Sequence, residues 1–542
     1  MGQLKKIPSS KAKINDKMKE TDKKLEKSLK AIVKTSILVS ILLIISKIFV
    51  YLYKVIIARF FGPEIYGIFS LSSTVIGLFI VFASLGLSEG LLRFVALYRG
   101  KNKTSEIKHI VGFTLRTLIF SSIIAGILLF FLAGFISVNI FHNTDLIFFL
   151  KVFTIIIPLA VLSYALLAVV RAYEKIGWYL FISSVARNGL EVVFILIFIF
   201  IGVGKSSVVF SYVISFLGMF LLSYVIFKQN VLSLFNKVSI KKNKKRKITK
   251  DLLEYSLPLT LSTFIFMLFA WIDIFTIGFF KTTTEVGFYN AAVPIAMLLT
   301  VLPELFMKLF FPLINKEYSR KNFTLIKELS KQVGKWIFLI NFPILILLLI
   351  FPGAALSTLF GPDYVVASTA LRLLSIGFFA STGIGAISLR LISMTGRSKL
   401  ILINTSIATV LNTILNMILV PMEKIWFIDN SSGLNGAAIA TLISLFFIAG
   451  LFILQSFYYL SILPVRRTIW KIILATILPT LLLIFLIARI NITLVTLIIL
   501  SSFFILFYTM SILLLKALDR NDLIIIDSIK NKLKSKLFNT VK

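Results

Sequence analysis

Fourteen long, continuous apolar runs set the limits on what this chain can fold into. They lie at about 35–57, 66–87, 110–136, 152–170, 177–202, 206–227, 252–280, 286–307, 336–357, 366–389, 400–421, 434–459, 472–488 and 492–515. Each approaches the roughly 20 residues a helix needs to cross a hydrocarbon core. The runs show no alternation of period two, which excludes a closed β-barrel. Membrane-spanning helices remain, because they satisfy their backbone hydrogen bonds without help from lipid. Composition agrees: 58% of the residues are hydrophobic, against roughly 45–50% in soluble domains. That content excludes a collagen-like or disordered chain, and the absence of cysteine excludes a disulfide scaffold. The first run follows 34 largely polar residues and lacks a small-residue cleavage site, so no signal peptide is expected.

The same chain carries 58 Lys+Arg against 23 Asp+Glu, a net charge of +35. With the N-terminus taken as cytoplasmic, 47 of the basic residues fall in the two tails and the cytoplasmic connections. Six fall on the other side: Arg59, Lys151, Lys205, Lys281, Lys424 and Arg489. This imbalance predicts that both termini are cytoplasmic and supports an even number of spans. Most of the charge is therefore a topology signal, and no nucleic-acid partner is expected. The cluster Lys241, Lys242, Lys244, Lys245, Arg246 and Lys247 reads either as a patch for anionic lipid or a partner, or as a solvated orienting loop. Met18, Leu25, Leu29 and Ile32 would share one face of a helix, as would Ile526, Ile529, Leu533 and Leu537. Those tails either lie on the inner membrane surface or are disordered.

The segments FFGPEIYGIFSL (60–71) and FFKTTTEVGFYNA (279–291) share Phe-Phe, a polar turn with Glu, and a Gly. They are offset by six spans and so have the same orientation. The expected fold is an all-α membrane protein of about 14 transmembrane helices. Two six-helix lobes form a parallel pseudo-twofold repeat, with two extra C-terminal helices. The chain divides accordingly into a basic cytoplasmic tail (1–34), an N-lobe (35–227), a basic cytoplasmic loop (228–251), a C-lobe (252–459), helices 13 and 14 (460–515) and a second basic tail (516–542). Parallel lobes of this kind suit alternating access around a central cavity.

Ionisable groups within a bilayer are costly unless they face a cavity or a partner. Lys47 and Lys54 are seven residues apart on the first span, with Arg59 at its outer end. Arg187 and Glu191 are four apart on the fifth. Asp273 interrupts the seventh, Glu304 lies on the eighth with Pro294 and Pro303, Arg372 lies on the tenth, and Arg93 follows the second. Arg59, Arg93, Arg116 and Glu304 are equally readable as interfacial residues that snorkel, and Arg187–Glu191 as a structural pair. Among the deeper groups Lys47, Lys54, Arg187 and Arg372 outnumber Glu191 and Asp273. A basic excess suits an anionic cargo such as a phosphate or diphosphate. Glu191, Asp273 and Glu304 are candidates for coupling a proton or sodium gradient; no other cofactor is expected. Neither His109 nor His142 shows metal-ligand spacing, and no phosphate-binding loop ending in Gly-Lys-Ser/Thr occurs. The chain therefore does not read as an enzyme or as an ATP motor.

The stretch IIARFFGPEIYGIFSLSSTVIGLFIVFASLGLSEGLLRFVALYRGK resembles the opening of the polysaccharide-biosynthesis flippase family. Arg59, Gly62, Pro63, Glu64, Tyr66 and Gly67 match its first motif, and Leu85-Gly86-Leu87-Ser88 with Arg93 its second. Residues 359–377 and 433–444 are similar to its later segments. That family belongs to the superfamily of multidrug extruders and the lipid II flippase. The resemblance implies translocation of an isoprenoid-phosphate-linked oligosaccharide from the inner to the outer leaflet of the plasma membrane. It implies as partners that lipid-linked cargo, membrane lipids and glycan-assembly enzymes. Two other readings stay open: a cation-coupled exporter of amphipathic small molecules on the same fold, and a membrane glycosyltransferase.

Overall fold

A computed structural model describes residues 10–230, 242–487, 489, 493–519 and 522. Positions Lys241, Ile526, Ile529, Leu533 and Leu537 lie outside the described residues, as do the side chains of Met18, Leu25, Leu29 and Ile32. The helices of the first half, in order, are α1 (Ser10–Ser84), α2 (Leu87–Arg99), α3 (Thr104–Phe135), α4 (Asp145–Phe153), α5 (Ile156–Ala172), α6 (Ile176–Leu180), α7 (Arg187–Ile201) and α8 (Ser206–Asn230). The second half continues with α9 (Lys242–Phe280), α10 (Thr283–Ala296), α11 (Leu298–Ser319), α12 (Phe323–Ile350), α13 (Pro352–Leu359), α14 (Ser368–Ala380), α15 (Ala386–Met394) and α16 (Ser398–Leu419). After a two-stranded hairpin, β1 (Lys424–Ile425) and β2 (Ile428–Asp429), come α17 (Leu434–Leu460), α18 (Ile469–Ile487) and α19 (Leu494–Leu514).

Among the described residues, 13 helical stretches are long and apolar enough to cross a membrane. The chain is an all-α, multi-pass membrane protein. The first stretch, Leu38–Ser84, joins the first two predicted spans. It turns at Gly62, whose φ of 78° and ψ of 176° suit glycine and few other residues. Pro63 follows directly. The predicted 286–307 run is divided: α10 ends at Ala296 and α11 starts at Leu298, continuing to Ser319.

Prolines inside these helices explain several contacts between them. A proline cannot donate to the carbonyl four residues before it, and a carbonyl left open within a membrane must find another donor. Pro294 frees the Asn290 carbonyl, which accepts from the Tyr66 hydroxyl at 2.9 Å. Pro303 frees the Leu299 carbonyl, which accepts from Asn341 Nδ2 at 2.7 Å. Pro343 frees the Leu339 carbonyl, which accepts from the Tyr508 hydroxyl at 2.8 Å. Each proline thus ties its helix to a neighbour.

The largest buried core runs from α1 through α10 and on into α13, α14 and α17. A second core joins α11, α12 and α15 through Met307, Phe310, Val333, Ile337 and Leu391. Two smaller cores pack α18 and α19 on α12. At the lysine-rich face these last helices are also fastened by charge. Lys335 is fully buried in α12 and pairs with Asp522, beyond α19, and with Asp519 at 3.1 Å. Asp522 further accepts from Gln332 at 2.5 Å and from Trp336 Nε1 at 2.8 Å. Arg466 reaches Asp519 at 3.1 Å from the link before α18. Burial works to raise the pKa of Asp522, but the hydrogen bonds from Lys335, Trp336 and the Asp519 backbone, with the Lys335 charge, hold it below the ordinary carboxylate value.

Candidate functional site

The lysine-poor face is sealed by contacts between the two motif copies. The turn at Gly62–Pro63 brings α1 back against α10, and both partners are glycine at the crossing. A Cβ built on Gly67 would stand 1.7 Å from the Thr283 carbonyl oxygen, and one on Gly287 would stand 1.9 Å from that of Pro63. Backbone therefore lies on backbone. Tyr66, fully buried beside Phe360 and Tyr364, adds its bond to Asn290. The Tyr364 hydroxyl donates to the Ala58 carbonyl at 3.2 Å. Arg59 donates from Nε to the Leu359 carbonyl at 2.8 Å and also reaches the Thr358 carbonyl. Its positive charge sits at the negative C-terminal end of α13. The motif residues Arg59, Tyr66 and Gly67 are thus built into the seal.

Away from the seal, the charged side chains gather in three groups. The first is in the N-terminal half. Arg187 Nη2 lies 3.0 Å from Glu191 Oε1, with side chains 19% and 3% exposed. Ser215 donates to the same carboxylate at 3.4 Å, and the guanidinium rests 4.6 Å from the Phe216 ring centroid. Lys54 adds its charge to this group from α1. A helical stretch with π-type bonding, Phe181–Ala186, immediately precedes Arg187 and shifts the face on which it emerges.

The second group crosses between halves. Lys47 Nζ on α1 lies 3.1 Å from Glu304 Oε2 on α11, and Lys308 Nζ lies 3.5 Å from Glu304 Oε1. The third is wholly in the second half. Asp273 on α9 is buried and accepts from Tyr289 of α10 at 2.5 Å, Thr441 of α17 at 2.6 Å and Asn416 of α16 at 2.9 Å. Asn416 also bonds the Asn412 side chain at 3.1 Å, and Asn416 Oδ1 is left buried with no partner among the described residues.

The sequence candidates therefore separate. Lys54, Arg187 and Glu191 come together, Lys47 pairs with Glu304, and Asp273 stands apart from both. Arg93 lies on α2 with its guanidinium 4.1 Å from the Tyr255 ring centroid of α9. Arg372 donates to the Leu349 carbonyl at 2.9 Å, near the end of α12, and is exposed. Arg116 is exposed on α3. Sequence reasoning passed over Lys308, Tyr289, Asn412, Asn416 and Thr441. Three of these carried a signal: Lys308 is one turn beyond Glu304, and Asn412 and Asn416 repeat at one-turn spacing on an apolar helix.

A bundle of apolar helices with charge held between its halves defines a polytopic membrane transporter rather than an enzyme. The fold is similar to that of the lipid II flippase MurJ in an inward-closed conformation, with TM-score 0.68, 18% identity, and coverage of 88% of this chain and 98% of that one. It is also similar to an inward-facing multidrug-resistance transporter of the MATE family in the MOP superfamily, with TM-score 0.63, 17% identity, and coverage of 77% and 94%. The chain belongs to the polysaccharide biosynthesis protein family, which it matches over residues 32–317. A putative O-antigen transporter of Shigella flexneri is 26% identical over 354 residues, 64% of this chain and 80% of that relative.

Proposed function

We propose that the protein is a flippase that moves an isoprenoid-(di)phosphate-linked oligosaccharide from the inner to the outer leaflet of the plasma membrane by alternating access. The observation that carries this reading is the excess of Lys47, Lys54, Arg187 and Lys308 over Glu191 and Glu304 in the charged groups behind the sealed lysine-poor face. With the termini cytoplasmic, as the lysine distribution favours, that face is outside and the charged region opens inward. The phosphate and sugars would enter there while the isoprenoid tail stays in lipid. The six-plus-six repeat with helices 13 and 14 added, and the domain limits that follow from it, belong to this reading. The meeting of Gly67 with Gly287, one from each motif copy, supports a pseudo-twofold axis between the halves. Glycan-assembly enzymes are the partners expected to supply the cargo.

The Asp273 group is the proposed coupling site. Its carboxylate and the unpartnered Asn416 Oδ1 are oxygen donors of the kind a proton or sodium ion takes. Glu191 fits coupling less well, because Arg187 already neutralises it. The test is transfer of a labelled lipid-linked oligosaccharide in proteoliposomes under imposed proton and sodium gradients. No transfer above empty vesicles under either gradient overturns the proposal. A cation-coupled exporter on the same fold is the second reading, and the buried Asp273 favours it. Its mark would be gradient-driven export of cationic amphiphiles with no transfer of the glycolipid.

A further inference from the structure

The Lys47–Glu304–Lys308 bridge differs in kind from the Arg187–Glu191 pair. Arg187–Glu191 is buried, joined by Ser215, and formed within one helix. Breaking it would leave an uncompensated charge out of water. The Glu304 bridge instead links α1 to α11, with side chains 29% exposed at Lys47 and Lys308 and 46% exposed at Glu304. An ion pair this open to solvent adds little net stability and so exchanges readily. Its stoichiometry is also unequal: two ammonium groups share one carboxylate, one oxygen to each lysine. Tyr51 lies one turn from Lys47 and feels the Glu304 charge, so a hydroxyl borders the same spot.

We infer that Glu304 is a built-in placeholder for the phosphate of the cargo, occupying Lys47 and Lys308 until a phosphate displaces it. This inference rests on the flippase reading and adds to it the exchange partner and the second lysine. A diphosphate esterified at both ends, as in such a cargo, carries about four unbridged acceptor oxygens and about two negative charges near neutral pH, one on each phosphorus. It can satisfy both ammonium groups at once and matches their charge better than a carboxylate does. When it enters, Glu304 swings away from the two lysines into the open space it already half faces, and the link between α1 and α11 passes from the carboxylate to the cargo. The empty carrier is thereby kept from leaving two cations unpaired between its halves. An uncharged lipid has nothing with which to displace the carboxylate.

The experiment measures binding of farnesyl phosphate, inorganic phosphate and farnesol to the purified full-length protein in detergent, for wild type, Glu304→Gln, Lys47→Gln and Lys308→Gln. Removing the competing carboxylate is expected to tighten farnesyl phosphate about fivefold and to leave farnesol unchanged. Lys47→Gln and Lys308→Gln are expected to weaken farnesyl phosphate by similar factors. Thermal melts establish that each variant is folded; all three positions are solvent-accessible, so melting temperatures near wild type are expected. Unchanged or weaker farnesyl phosphate binding by Glu304→Gln overturns the inference. So does a loss seen with Lys47→Gln alone. Inorganic phosphate binding as tightly as farnesyl phosphate overturns the assignment to a lipid-borne phosphate. Glycolipid transfer by the wild type with no change in affinity in Glu304→Gln removes this inference and leaves the flippase reading standing. The tightened affinity without any transfer does the reverse.

Discussion

The glycine crossing between α1 and α10 offers the sharpest test of the sealed face. In Gly67→Ala the new Cβ would stand 1.7 Å from the Thr283 carbonyl oxygen, where ordinary contact begins at 3.4 Å. The two backbones would have to part by about 1.5 Å or more, and overpacking of this kind costs about 1–3 kcal/mol. In alternating access the strain falls only on the arrangement in which the face is closed. The equilibrium should then shift towards the opened face by roughly tenfold to a hundredfold. Tyr66 would separate from the Asn290 carbonyl at the same time, so its 2.9 Å bond would be lost too. The chain has no cysteine, so a single Asn290→Cys replacement can be labelled cleanly with a membrane-impermeant maleimide added from outside. Asn290 is buried in the closed seal, and labelling is expected to be slow in the Gly67 background and at least several-fold faster with Gly67→Ala. Glycolipid transfer should fall, because the carrier would rest in the wrong state. Equal labelling in both backgrounds would refute the reasoning. A lowered melting temperature with unchanged labelling would refute it as well, since the strain would then fall on both arrangements alike.

Other perturbations test the remaining supports. Tyr508→Phe leaves the Leu339 carbonyl, freed by Pro343, without its donor, and should lower stability by about 1–3 kcal/mol in a thermal melt of the purified protein. Lys335→Met leaves the buried Asp522 without its countercharge and Asp519 with Arg466 alone, and a loss of about 3–5 kcal/mol is expected. Because the folded pKa of Asp522 is depressed, its contribution is full above the ordinary carboxylate value near ~4 and disappears as pH falls through the lower folded value. Asp522→Asn should therefore flatten the acid limb of a melting-temperature profile; an unchanged profile would count against the network. Asp273→Asn removes the charge at the proposed coupling site and should abolish gradient-driven transfer while sparing exchange at zero gradient. Full gradient-driven transfer by that variant would place coupling elsewhere.

The spans, the basic bias and the class of protein were legible in the sequence because each is a one-dimensional property. A run of 20 apolar residues commits a segment to lipid wherever its neighbours are, and Arg187 and Glu191 meet because four residues bring them round one helix turn. What depends on two segments at once was not legible. Arg372 stood with the deeper cations on the strength of its place within a predicted span, yet it donates to a carbonyl near a helix end, as Arg59 does from the outer end of its span. Lys47 had no acid on its own predicted span; its partner Glu304 arrives from 257 residues further along. The pairing of Pro294, Pro303 and Pro343 with distant donors is of the same sort. Proline announces an open carbonyl in the sequence, but only packing chooses Tyr66, Asn341 or Tyr508 to fill it. By itself the sequence determined that this is a basic polytopic membrane protein with charges it cannot leave in lipid. Tertiary structure decided which of those charges neutralise one another and which remain exchangeable, because Coulomb and hydrogen-bond energies depend on distances that no spacing along the chain specifies.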